Sequence, residues 1–130
     1  MNKAHLYSLY AGGVLHAGWA VFHLFFPRIF KWSETLAQLD IINRNIYQVL
    51  NLCLSFFFIA AAYLSLAFGS ELLSSVLGRK IIAILGAFWL LRLGLQFRFF
   101  KAVHPLSFLL SLLFALTAGV YFYPLMQGVR

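Results

Sequence analysis

Four runs of mostly apolar residues, about 6–26, 41–68, 78–100 and 105–126, fill most of this 130-residue chain. Each is ~20 residues or somewhat longer, the length a helix needs to cross the hydrocarbon layer of a bilayer. Backbone N–H and C=O groups in that layer must be satisfied inside their own segment, so helices are the expected form. Hydrophobic residues make up 63% of the chain and charged residues only 10%, whereas a soluble domain carries roughly a quarter charged residues. The sequence therefore predicts an all-α protein, with residues 1–130 as a single integral membrane domain. Its helices are expected to form a four-transmembrane-helix, up-down antiparallel bundle. Hydrophobicity continues well past Ala11-Gly12-Gly13, so the first segment is read as a span and not as a cleaved leader.

The net charge of +7 comes from ten Lys and Arg against Glu34, Asp40 and Glu71. The basic residues lie mostly beside the ends of the apolar runs, where membrane lipids are the expected partners and nucleic acid is not. Cys53 is the sole cysteine, which excludes an intrachain disulfide and a thiolate metal cluster. No Gly-rich phosphate loop, HExxH, nucleophile motif or CxxC is present. No carboxylate falls inside the apolar runs, so no metal site and no catalytic residue is assigned. The reading leans away from an enzyme.

What chemistry there is lies in polar stripes. On the first helix Gly12, His16, Trp19 and His23 share one face at ~100° per residue. On the second, Arg44, Gln48, Asn51 and Ser55 follow one another at i, i+4, i+7 and i+11, after Asp40 as the expected N-cap. Leu85, Trp89, Arg92 and Gln96 form the stripe of the third helix, and Ser107, Ser111, Ala115 and Ala118 that of the fourth. Polar side chains are costly against lipid, so the stripes are expected to face inward, or, for that of the second helix, inward or toward the headgroups. Ala83, Ala87 and Gly94 offer the third helix a small-residue face for a homo-oligomer or other partner. Between the first two spans, Ser33 is expected to cap a short interfacial helical turn starting at Glu34. Gly69-Ser70 is expected to close the second helix, with a polar connection from Glu71 to Lys80 after it. Tyr7, Tyr10, Tyr63, Tyr121 and Tyr123 gather at one end of the bundle as an interfacial aromatic belt.

Antiparallel packing places His23, Arg44, Gln48, Arg92, Gln96 and His104 in the same third of the bundle, with His16, Asn51 and Ser55 near mid-depth. The expectation is a polar intrabundle pocket lined by His16, His23, Arg44, Gln48, Asn51, Arg92 and Gln96. It would bind an amphipathic or anionic small molecule or lipid, with Arg92 on the anionic part. Two alternatives stand beside it: a haem-binding membrane oxidoreductase, and an accessory subunit of a membrane complex. No cofactor is assigned. If haem were bound, His23 and His104 are the pair that can oppose each other, because His16 and His23 lie about 10 Å apart along one helix.

The run His16-x2-Trp19-x3-His23-x3-Pro27-Arg28-x-Phe30-x-Trp32, followed by Asn43-Arg44-x-Ile46-x-Gln48-x2-Asn51, resembles a group of small four-helix bacterial membrane proteins. That resemblance implies the four-helix fold and a bacterial inner membrane, and no particular reaction. Trp19, Pro27, Arg28, Ile29 and Phe30 are also similar to the Trp-x7-Pro-Arg-[Ile/Leu]-Phe run of the HemJ-type protoporphyrinogen oxidases. In the third helix, where those oxidases carry a lysine, this chain has Arg92. Arginine stays protonated and ligates haem poorly.

Overall fold

A computed structural model describes residues 2–100 and 105–126. Among these residues the chain is helical, with α1 Lys3–Leu24, α2 Phe26–Ile29, α3 Trp32–Thr35, α4 Ile41–Ala67, α5 Gly69–Ser74, α6 Val76–Phe99 and α7 Pro105–Phe122. Single turns of 3-10 helix follow α3 at Leu36–Gln38 and α7 at Tyr123–Leu125. Two helical stretches, Ile41–Ala67 and Pro105–Leu125, are long and apolar enough to cross a membrane.

The four long helices lie side by side. Gly13 of α1 abuts Ser65 and Leu66 of α4, while His23 reaches Asn51, so the two helices run antiparallel. Gly86 against Phe122 and Gln96 against Ser107 set α6 antiparallel to α7 in the same way. Ser8 and Trp19 of α1 bond Val120 and Thr117 of α7. Helices α4 and α6 meet differently, through aromatic side chains: Phe57 to Phe88 at 5.1 Å, and Phe58 stacked on Trp89 at 5.5 Å. The outer faces are apolar, including Val14, Val21, Leu50, Phe56, Ile84, Leu91, Phe108 and Leu112.

Helix boundaries follow local chemistry. Asp40 Oδ1 accepts from the backbone N–H of Ile42 and Asn43 at 3.0 and 3.1 Å, and its other oxygen accepts from the Asn43 amide. This caps α4 as its sequence predicts. The Asn43 side chain, then its backbone N–H, hold the Asp40 carboxyl below the usual range. A carboxyl with a lower pKa folded than unfolded adds stability above its unfolded pKa of about 3.9. That contribution disappears as pH falls through the folded value. Melting temperatures taken between pH 6 and 3 should therefore fall more steeply for the parent than for Asp40→Asn, whose cap carries no proton equilibrium. Parallel curves would assign the acid sensitivity to other groups.

Several expected boundaries shift. Ser33 does not cap the connecting turn: α3 begins at Trp32, and Lys31 before it adopts a left-handed conformation at φ 48°, ψ 52°. Pro27 is the second residue of α2, in the first turn, where its missing N–H costs nothing. Gly69 does not close α4 but opens α5, and it stays out of the left-handed region. The Glu71–Lys80 segment is helical instead of a loop, broken at Ser75, whose hydroxyl accepts from Gly78 N–H to cap α6. Gly78 sits there because a Cβ would lie 2.4 Å from the Cα and carbonyl oxygen of Leu72. On α7 the inward face is Phe114, Thr117, Ala118 and Tyr121; Ala115 is exposed. Tyr121 is 0% exposed and leaves the proposed belt for the core. Within the bundle, small residues mediate close approach at Gly12, Gly13 and Gly86. Ala87 and Gly94 face outward, with nothing within 4 Å of a Cβ at Gly94.

Candidate functional site

The expected pocket residues occupy three different settings. His16 belongs to a closed core and is 0% exposed. Trp89 Nε1–H donates to its Nε2 at 3.1 Å, and an indole N–H can only donate. Nε2 must therefore be the acceptor and Nδ1 must carry the proton. Nδ1 lies 2.8 Å from the Tyr121 hydroxyl and 3.1 Å from the Gly12 carbonyl, and Tyr121 in turn meets Ser65 Oγ at 2.8 Å. Ser65 is on α4, Trp89 on α6 and Tyr121 on α7, so one imidazole on α1 joins all four long helices. Each buried polar group in this knot has a partner, the condition for a polar core to stabilise.

Arg44, Gln48 and Asn51 line a groove of about 510 Å³ on the outer side of α4, with Leu24, Pro27, Trp32, Ser33, Ala37 and Leu52. Arg44 is committed to the chain itself: Nε donates to Leu36 O at 3.0 Å, and Nη2 to Ala37 O and Leu39 O at 3.1 and 3.2 Å. It satisfies the carbonyls at the end of the connecting 3-10 turn and holds that connection against α4. Gln48 is exposed.

A second cavity, about 480 Å³, lies between the long helices and takes in His23, Arg92 and Gln96. Eleven of its eighteen lining residues are Phe, Trp or Tyr. Asn51 fixes the histidine. Its Nδ2 donates to His23 O at 2.9 Å, which leaves Oδ1 to face His23 Nδ1 at 3.1 Å. An amide oxygen only accepts, so Nδ1 carries the hydrogen and Nε2 keeps its lone pair. Nε2 has no hydrogen-bond partner among the described residues. The ring is stacked on Phe26 at 4.0 Å and set edge-on to Phe58 at 5.1 Å.

Arg92 enters the same cavity. One nitrogen, Nη1, donates to Gln96 Oε1 at 2.9 Å; Gln96 Nε2 donates to Ser107 Oγ at 2.9 Å, and Ser107 donates to Phe100 O at 3.1 Å. The guanidinium carbon lies 4.4 Å from the centroid of the Phe114 ring, within cation–π range. A guanidinium has five N–H donors, and the rest of them find no acceptor among the described residues. This relay fixes the arginine while leaving most of its donor capacity to the cavity.

Sequence spacing placed His23, Arg92 and Gln96 together, and the structure brings these three to one cavity. It separates His16 from them, gives Arg44 and Gln48 to the outer groove, and uses Asn51 to orient His23. His104 lies outside the described residues. No group of three or more metal-ligating side chains occurs among the described residues. Sequence reasoning missed Phe58, Ser65, Thr117 and Tyr121. Phe58, Ala62 and Ser65 continue the Arg44–Ser55 spacing in steps of three and four, which is the signal that would have found Ser65. Compared with protein-family models, curated proteins and solved structures, the chain matches none.

Proposed function

We propose that this chain is a four-span membrane protein that binds an amphipathic small molecule or lipid in the aromatic cavity, with Arg92 on the ligand's anionic or acceptor oxygens. At 1.5 Å per residue α1 and α6 are about 33 and 36 Å long, enough to accompany α4 and α7 across ~30 Å of hydrocarbon. Midway and toward one end, His16 of α1 and Gln96 of α6 are buried, while the outer faces of both helices carry exposed apolar residues such as Val14, Val21, Ile84 and Leu91. The observation that carries the binding reading is a guanidinium with spare donors in an aromatic cavity that holds no carboxylate. An unpaired cation in apolar surroundings is costly, and a ligand oxygen would offset that cost.

Purification in mild detergent followed by mass spectrometry of the extracted small molecules tests this. The parent should retain an amphiphile at near-stoichiometric level, and Arg92→Leu should reduce it about tenfold or more, as for loss of a charge-assisted hydrogen bond. Equal occupancy in both proteins would remove Arg92 from the site. A second reading rests on the bare Nε2 of His23, which could ligate haem iron with Arg92 near a haem carboxylate. A visible absorption band near 400 nm that His23→Ala abolishes would favour it over the first.

A further inference from the structure

The two polar groups offered to the cavity have opposite hydrogen-bonding needs, and this narrows the ligand class within the binding reading on which the inference rests. His23 presents a lone pair at Nε2, because Asn51 holds the proton on Nδ1. Arg92 presents N–H donors only. An ionised carboxylate or sulfate supplies acceptors alone and so answers Arg92 but not His23. A complementary headgroup carries an O–H for His23 and a second oxygen for Arg92. Eleven aromatic side chains around it favour a flat conjugated ring, which gains face and edge contacts with them that a saturated headgroup does not. The cavity wall between α4 and α6 is built from side chains such as Phe58, Phe88 and Trp89, whereas the other neighbouring long helices approach through Gly13 or Gly86 or are bonded directly. An attached chain would leave there with least disturbance of the backbone.

We infer that the cavity binds a phenol- or quinol-type amphiphile. One ring hydroxyl donates to His23 Nε2, another ring oxygen accepts from Arg92, and the apolar tail passes between α4 and α6 into the surrounding lipid.

All three tryptophans of the chain, Trp19, Trp32 and Trp89, line the cavity, so intrinsic fluorescence reports its occupation. The purified full chain in detergent, under argon, would be titrated with decyl-hydroquinone, its dimethyl ether and decanoate. Decyl-hydroquinone should bind at least tenfold more tightly than either of the others, since the ether lacks O–H donors and decanoate lacks the ring. His23→Phe, which keeps a ring but removes the acceptor, should weaken the hydroquinone about five- to tenfold and leave decanoate unchanged. The comparison of three ligands on the parent protein stands even if that variant fails to fold. Decanoate binding as tightly as the hydroquinone, or the ether matching it, would overturn the quinol assignment while leaving the cavity as a binding site. A fluorescence signal unmoved by all three would overturn the binding reading as well.

Discussion

Gly78→Ala is expected to be among the most destabilising single-methyl changes in this protein, costing about 3 kcal/mol or more. The added Cβ would stand 2.4 Å from two backbone atoms of Leu72 and 2.7 Å from a third. A side chain at such a spot could rotate away, but backbone in the tight α5–α6 corner cannot move without pulling Ser75 off its cap on Gly78 N–H. Overpacking a filled interior ordinarily costs 1–3 kcal/mol, and a clash with main chain belongs at or above the top of that range. Gly94 on the same helix supplies the control. Nothing lies within 4 Å of its Cβ position, so Gly94→Ala should be neutral or stabilise α6 by about 0.5–1 kcal/mol through helix propensity. Thermal unfolding in one detergent, followed by circular dichroism, compares the pair. Similar melting temperatures for the two alanine variants would show that the corner yields freely.

His16→Leu carries the second large effect. Leucine fills much of the imidazole volume, so the loss is chiefly one of hydrogen bonding. Trp89 Nε1–H is left without an acceptor in a site where Trp89 is 1% exposed, and Tyr121 keeps only Ser65. A buried donor without a partner costs about 1–3 kcal/mol, and the weakened Tyr121 bond adds about 1 kcal/mol. The expected total is roughly 2–4 kcal/mol. Trp89→Phe removes the orphaned donor, so the double variant His16→Leu/Trp89→Phe should be more stable than the sum of the two single losses predicts. A coupling of about 1 kcal/mol or more in that cycle supports the direct bond, and additivity would refute it. Ligand occupancy should respond weakly to His16→Leu if the fold survives, because His16 does not line the cavity. Arg92→Leu should do the reverse, lowering occupancy with a smaller effect on melting.

Much of the architecture was legible because periodicity is a local property. Gly12, His16 and Trp19 are buried together, as are Asn51 and Ser55, and Leu85, Trp89 and Gln96. Within each set the spacing is three, four or seven residues, which one or two turns of helix bring onto one face whatever the rest of the chain does. Asp40 could be read as a cap for the same reason, since its partners are two and three residues away. The fourth helix was less legible. It is so uniformly apolar that Ser107, Ser111, Ala115 and Ala118 gave the strongest visible stripe, while the buried face turns onto Phe114, Thr117 and Tyr121.

The sequence by itself determined an all-helical chain, its long apolar segments, their polar stripes and the aromatic content that any interior must accommodate. Only the tertiary structure decided what those stripes do. His16 and His23 stand seven residues apart on one face, yet one is sealed among Trp89, Tyr121 and Gly12 while the other lines a cavity. That difference depends on partners 28 to 105 residues away, Asn51 for His23 and Tyr121 for His16. Spacing along one helix fixes direction, not the depth or chemistry of what it meets. The same holds for Arg44 and Arg92, two arginines in polar stripes. Backbone carbonyls of the connecting turn consume one, and the other keeps donors without an acceptor among the described residues, because those lining its cavity are mainly aromatic rings.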